Sequence, residues 1–307
     1  MSQHPSLTGE EIATQPENWR TAAALAASGP AGLPQRGERV AVVGCGTSWF
    51  MAQAYAALRE SGGHGETDAF AASEFPHGRR YDRVLAITRS GTTTEVLRLL
   101  ADTDLPSTAI TACPEQPVAK DADHLIDLGF ADERSVVQTR FATTVLALLR
   151  AHLELEEARP AGVATVAEAA ADAERAVAWQ VPQELVELEQ ISFLGTGWTN
   201  GLAQEAGLKM REAALAWTEA YPAMEYRHGP ISITAPGRAA WAFGALPVGL
   251  ADDVAAVGGR LVADSGEGGL DPLADLVRVH RLAVALASHR GLNPDEPRNL
   301  TRSIILA

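Results

Sequence analysis

Two short hydroxyl-rich segments carry the first recognisable chemistry of this 307-residue chain. Gly44-Cys45-Gly46-Thr47-Ser48 follows a β-branched run at 40–43 and precedes a helix-compatible stretch at 50–59. Glycines there let backbone approach a ligand closely, and a helix N-terminus attracts an anion. Thr47 and Ser48 add hydroxyl donors, although a plain tight turn accounts for the same residues. Ser90-Gly91-Thr92-Thr93-Thr94-Glu95 also stands between a strand-like run (83–88) and a helix-like one. Glu95 lies three residues after Thr92, the spacing of a capping box. A cap needs one hydroxyl, and four surround this glycine. Two such loops at the carboxyl ends of neighbouring strands make a crevice for a phosphate. The second half has no counterpart of the second loop, because the stretch from Arg238 reads RAAWAFGALPVG. One phosphate site per chain is expected, in the first half.

A different chemistry is spaced along 205–212. Glu205, Lys209 and Glu212 stand at i, i+4 and i+7, on one face of a helix. On an exposed helix this is only a solvated ion pair. Leu208 and Leu215 point instead to a helix packed on much of its circumference, with the polar stripe lining a cleft. A glutamate so placed suits a general base. His228, in Glu225-Tyr226-Arg227-His228-Gly229-Pro230, has two readings, a turn residue or a catalytic one. Arg298 and Arg302, in the tail Pro297-Arg298-Asn299-Leu300-Thr301-Arg302-Ser303, are either surface charges or contacts to an anionic ligand.

These groups need a scaffold, and an internal repeat supplies its outline. Gly44 and Gly46 match Gly195 and Gly197 at an offset of 151. At the same offset Glu74-Phe75-Pro76-His77-Gly78 aligns with Glu225-Tyr226-Arg227-His228-Gly229. Strand-like runs at 40–43, 83–88, 107–111, 125–128, 191–194, 239–247 and 260–263 alternate with helix-like runs at 50–59, 138–154, 202–217 and 282–290. This pattern predicts an α/β fold, two copies of a parallel sheet with helices on both faces, in a flavodoxin-like sandwich. The Ala/Glu-rich stretch 156–175 is read as a helical connection. The domains are expected at 1–160, with the phosphate loops, and 161–307, with the Glu/His segment and the tail.

Composition narrows the function. Hydrophobic residues are 46% and charged residues 21%, which excludes a disordered chain. A net charge of −14 repels nucleic acid. No apolar run approaches the ~20 residues of a membrane span, and the polar, acidic N-terminus is no secretory signal. Only Cys45 and Cys113 are present, without a CxxC or HExxH motif, so neither a disulfide nor a metal site is expected. The expectation is a cytoplasmic protein without metal or cofactor.

Taken together, GCGTS at 44–48, SGTTTE at 90–95, EAGLKMRE through EYRHGP at 205–230 and PRNLTRS at 297–303 resemble the sugar isomerase (SIS) family. The likeness is to its two-domain form, two tandem SIS domains as in the isomerase half of glucosamine-6-phosphate synthase. It runs from about residue 30 to the end, and Glu212 and His228 stand at the family spacing without a gap. The resemblance implies a phosphosugar bound by Cys45, Gly46, Thr47, Ser48, Ser90, Thr92 and Thr93, with Glu205 and Lys209 nearby. It implies Glu212 as the base moving a proton between C1 and C2. His228 would assist ring opening from the partner subunit of a homodimer. Glu133-Arg134-Ser135-Val136-Val137-Gln138 resembles the family's substrate-side loop, with a backbone contact from Val136 and Gln138 where the synthase has serine.

Two departures bear on the reaction. A glutamine-hydrolysing segment is not seen, so a complete synthase is not expected. Arg302 replaces the tail lysine that forms an imine with a ketose, and arginine is a poor amine nucleophile. Arg302 is left to polarise a carbonyl or hold a negative oxygen. The expected substrate is an amino- or N-acetylamino-hexose 6-phosphate. Elimination of water across C2–C3, a dehydratase acting on N-acetylglucosamine 6-phosphate, is the first reading. Isomerisation or deamination of glucosamine 6-phosphate, or a non-catalytic phosphosugar sensor, are the alternatives.

Overall fold

The computed structural model describes residues 6–264 and 268–306. Its contacts divide these into two units. One holds residues 14–134, 138–167 and 301–306. The other holds 6–13, 135–137 and the described part of 168–300. A simple cut at 160 therefore does not describe the chain, because each terminal segment belongs with the sheet farther from it in sequence.

In chain order, α1 (Leu7–Ala13) belongs to the second unit, and α2 (Gln15–Ala27) opens the first. Then follow β1 (Val40–Gly44), α3 (Thr47–Ser61), β2 (Thr67–Ala71), β3 (Arg83–Ile87), α4 (Thr94–Asp102), β4 (Ser107–Thr111), α5 (Val118–Asp121), β5 (His124–Asp127) and α6 (Arg140–Leu155). The five strands are all parallel, in the order β2-β1-β3-β4-β5. Val40 pairs with both Thr67 and Arg83, so the strand order reverses between β1 and β3. β1 is buried along its whole length, as a central parallel strand must be. Its alternate residues Ala41 and Val43 join Val84, Ala86, Val96, Leu99 and Val118 in one core, beneath α4 and α5. On α2, Trp19 is sealed from solvent and donates Nε1–H to Thr143 Oγ1 of α6 at 3.0 Å.

The second unit continues with α7 (Val166–Ala178), α8 (Gln183–Val186), β6 (Gln190–Gly195), α9 (Thr199–Ala214), β7 (Trp217–Pro222), β8 (Arg238–Phe243), α10 (Leu250–Ala256), β9 (Arg260–Ala263) and α11 (Pro272–His289). Its four strands are parallel too, in the order β7-β6-β8-β9. Leu194, Ala240, Ala242, Leu250, Val254 and Tyr226 form the core beneath α10. α11 packs on α9. Gln190 pairs with both Trp217 and Arg238, as Val40 does with Thr67 and Arg83. The first three strands of the two sheets thus share one order, and the sequence repeat is a repeat of topology.

Several boundaries differ from expectation for local reasons. The helix expected at 202–217 stops at Ala214. Leu215 takes a left-handed backbone (φ 52°), and its N–H returns to the Arg211 carbonyl, leaving Trp217 to begin a strand. The final helix begins at Pro272, ten residues before the expected start. Asp271 caps it by accepting from Leu273 N, and proline suits a first helical turn. Within 156–175 only the part from Val166 is helical, since Glu157 has φ 53° and Pro160 follows. Among the described residues no helix is long and apolar enough to cross a membrane.

Candidate functional site

In the first unit the two hydroxyl-rich loops leave the carboxyl ends of β1 and β3, the adjacent strands between which the strand order reverses. Open α/β sheets bind ligands at that point. Gly46 takes φ 54° and α3 starts at Thr47, so Thr47 and Ser48 occupy the helix's first turn, both buried at 4% and 3% exposure. Gly44 is needed for close approach, because a Cβ there would lie 2.7 Å from Ser48 Cβ. Burial, with the nearby charge of Glu95, pushes the Cys45 thiol up to about 11. It is a protonated, weak donor rather than a nucleophile.

Across the gap between the strands, Gly91 turns the chain with φ 63° and α4 starts at Thr94. Thr92 Oγ1 meets Ser90 Oγ at 3.0 Å and Ser303 Oγ of the tail at 2.9 Å. Thr93 stands before the helix in extended backbone, and its side chain makes no capping bond. The hydroxyl cluster is therefore not a helix cap. Gln138 lies just before α6, its Oε1 buried without a hydrogen-bond partner. Val136 is half-buried and groups with the second unit.

Arg302 is fully engaged within the first unit. Its guanidinium bonds the carboxylate of Asp132 and the carbonyl of Glu133, and reaches Cys113 Sγ at 3.5 Å. It serves as an anchor of the tail rather than as an idle cation. Three neighbours of this anchor were given no part in it by sequence reasoning, although Glu133 and Ser303 lie in segments it singled out. Arg89, just before the second loop, is 2% exposed and pairs with the wholly buried Glu133 at 3.4 Å. Burial lowers its proton affinity, opposed by the charge of Glu133. Ser303 is the third. The visible signal was a charged residue directly before Ser90, in a position the hydroxyl motif did not explain.

In the second unit α9 carries Glu205, Lys209 and Glu212 on one face, as their spacing predicts. Lys209 Nζ bonds Glu212 Oε2 and lies 3.6 Å from Glu205 Oε1. Glu205 and Lys209 are buried, while the Glu212 side chain is 18% exposed. Glu212 is thus the carboxylate of the stripe that reaches solvent. His280 of α11 is buried as well, pushed down to about 3 by burial and then by the charge of Lys209. It is a neutral imidazole at ordinary pH, and its relation to Lys209, 71 residues earlier in the chain, has no local signal. His228 ends a short 3₁₀ turn after β7 and is exposed. It has no hydrogen bond to the Glu205–Lys209–Glu212 cluster among the described residues.

A parallel sheet whose strand order reverses beside two hydroxyl loops, followed by a second parallel unit that carries a Glu-Lys-Glu helix, defines an open α/β class of protein. Residues 34–154, which contain the first sheet, match the SIS domain family. The match ends there, so the second domain of the expected tandem pair lies outside it. The chain is 27% identical to glutamine–fructose-6-phosphate aminotransferase (isomerizing) of Sulfurisphaera tokodaii over 87% of its length. It is 28% identical, over the same share, to that of Methanothermobacter thermautotrophicus. It covers 50% and 51% of these proteins, about half the length of the curated relatives it matches. Its fold is that of glucosamine-6-phosphate deaminase from Thermotoga maritima (TM-score 0.80, 23% identity, covering 98% of this chain and 100% of that one). It is also similar to tagatose-6-phosphate ketose/aldose isomerase from Escherichia coli (TM-score 0.71, 19% identity, covering 96% and 97%).

Proposed function

We propose that this chain is an isomerase-type phosphosugar enzyme acting on an amino-hexose 6-phosphate, with glucosamine 6-phosphate as substrate. Thr47, Ser48, Ser90, Thr92 and Thr93 bind the phosphate, and Glu212 removes the C2 proton of the open-chain aldose. The adjacent C1 carbonyl acidifies that proton. Returning it to C1 gives the C2 imine of a ketose, and water adds to that imine to release ammonia and leave the ketose. His228, from a second copy of the chain, assists ring opening.

The observation that carries this proposal is the exposure pattern of α9, where Glu212 alone of the stripe reaches solvent beside the buried Lys209. The whole-chain fold shared with a deaminase supports the same class of substrate. The engaged state of Arg302 supports a reaction with no imine on the tail. A second SIS domain at 168–300 is proposed with it, on the shared strand order of the two sheets.

Proton NMR in deuterated water tests it, with glucosamine 6-phosphate, N-acetylglucosamine 6-phosphate and fructose 6-phosphate supplied separately. Loss of the C2 signal with release of ammonium and formation of a ketose is expected from the first sugar. A vinyl resonance from the second would instead establish a dehydratase. Binding of any of the three without exchange would establish a sensor.

A further inference from the structure

We propose, resting on the phosphosugar reading above, that Glu133 is the positioning residue of the phosphate-binding loops, acting through Arg89 and the C-terminal tail. Its carboxylate is wholly buried and divides its two oxygens between tasks. Oε1 accepts from the backbone N–H of Thr139, from Thr139 Oγ1 at 2.9 Å and from Arg140 N at 2.8 Å. That satisfies donors a helix start leaves open, and fixes α6 directly after Gln138. Oε2 faces Arg89 Nη1 at 3.4 Å. Arg89 immediately precedes Ser90, and its Nη2 donates to the Arg302 carbonyl at 3.3 Å. Arg302 in turn donates to the Glu133 carbonyl and to the Asp132 carboxylate.

From this hub the tail runs along the second loop. Ser303 Oγ meets Thr92 Oγ1, Thr94 N donates to the Ile304 carbonyl at 3.2 Å, and Leu306 N donates to Thr94 Oγ1 at 2.9 Å. One carboxylate thus holds the 90–93 loop, the start of α6 and the tail in register, without itself carrying a hydroxyl for the ligand. Its removal would take from the buried Arg89 cation the larger of two counter-charges, Asp132 being the other, and breaking such a pair is costly. Arg89 must then move, carrying Ser90 and the tail with it.

The test uses the full chain, its Glu133→Gln and Arg89→Gln variants, and the double variant. Calorimetry reads binding of glucosamine 6-phosphate and of inorganic phosphate. Amide exchange of the 301–306 segment, without ligand, reads the tail. Each single variant is expected to weaken binding about tenfold or more and to speed tail exchange. The sugar concentration for half-maximal C2 exchange rises with it, while the rate at saturation changes little. The double variant, a neutral pair, is expected to recover part of both losses. Unchanged binding and tail exchange in Glu133→Gln, or losses that simply add in the double variant, would overturn the proposal. Should Glu133→Gln not fold, Arg89→Gln decides by the same readouts, since it leaves the bonds to Thr139 and Arg140 in place. If the unaltered chain binds neither ligand, the phosphosugar reading fails. Tail exchange in Arg89→Gln then decides alone, faster exchange supporting Glu133 as a positioning residue and unchanged exchange removing it.

Discussion

The ammonium of Lys209, buried in α9, bonds Oε2 of Glu212, which keeps 18% of its side chain open to solvent. Glu212 is therefore the carboxylate of the stripe that a sugar can reach. Glu212→Gln keeps the shape and one acceptor while removing the proton-accepting charge. Exchange of the C2 proton should fall by roughly 10²–10⁴-fold, the usual worth of a positioned base. Sugar binding, read by calorimetry, should stay within a few-fold. Near-normal exchange would remove Glu212 from the role of base.

Lys209→Met tests the other partner. Glu205, buried 3.6 Å from Lys209 Nζ, then loses its ammonium inside the fold. Leaving a buried charge without its counter-ion costs about 3–5 kcal/mol, visible as an earlier urea midpoint. A variant as stable as the parent would show that the Lys209 ammonium contributes nothing to holding Glu205 in the fold.

In the first unit His64 and His152 meet edge to face, with ring centroids 5.6 Å apart. Arg59 Nε donates to His64 Nδ1 at 3.0 Å. Burial, then the charge of His64, pushes His152 down to about 4. Burial, then Arg59 and Arg36, lowers His64, against the pull of Glu156 at 3.6 Å. Both imidazoles titrate near 6.5 once unfolded. Between that value and about 4 the unfolded chain binds more protons, so stability is present above the window and is lost as pH falls through it. His152→Gln removes one titrating site. Its stability should drop less between pH 7.5 and pH 5, by about 2 kcal/mol, in paired urea titrations. Parallel losses in the two proteins would reject this origin of acid sensitivity.

Asp275 gives the opposite sign. It is buried on α11, accepts from Trp241 Nε1 at 2.9 Å, and pairs at 3.1 Å with Arg278, whose guanidinium lies over Trp179 and Trp241. Burial raises it to about 6, more than Arg278 and the indole lower it. The folded state therefore holds the extra proton between about 4 and 6, and this group's contribution declines as pH rises through that range. Asp275→Asn keeps an acceptor for the indole and removes the buried charge, so that decline should vanish. Asp275→Ala strands the buried Trp241 N–H and should cost about 1–3 kcal/mol at pH 7. Thermal melts at pH 4.5 and 7 compare the three proteins. An alanine variant no worse than the asparagine variant would mean that the indole bond contributes nothing.

What the sequence made legible was local or periodic. Gly44 and Gly195 announce the repeat because both end a strand, with a helix starting three residues on in one copy and four in the other. A Cβ would meet Ser48 Cβ at 2.7 Å in one and the Thr199 carbonyl at 2.3 Å in the other. The strand–glycine–hydroxyl–helix loops were legible for the same reason, and so was the i, i+4, i+7 stripe of α9. β2 and β7 were not. They are edge strands, mostly half-buried, without clean alternation. Placement of the termini was hidden as well, because it rests on distant pairs. Asp295 accepts from Thr8 across 287 residues, and Ser303 meets Thr92 across 211. No local periodicity encodes such partners, and the Arg89–Glu133 pair, 44 residues apart, shares that fate.

The tail arginine offers a last prediction, about a residue that is not there. The resemblance to the synthase isomerase places an imine-forming lysine at position 302, which on its own implies that Arg302→Lys restores that chemistry at once. The surroundings argue otherwise. The guanidinium is held by the Asp132 carboxylate and the Glu133 carbonyl. A lysine ammonium drawn to the same two oxygens stays protonated, since an adjacent carboxylate favours the charged form. A protonated amine does not attack a carbonyl. Borohydride trapping with fructose 6-phosphate at neutral pH, read by intact mass, should therefore yield no adduct from Arg302→Lys. The double variant Asp132→Asn/Arg302→Lys removes the carboxylate and should trap the ketose. An adduct already present in the single variant would mean that Asp132 does not hold the amine, and that the tail is free to turn toward a sugar.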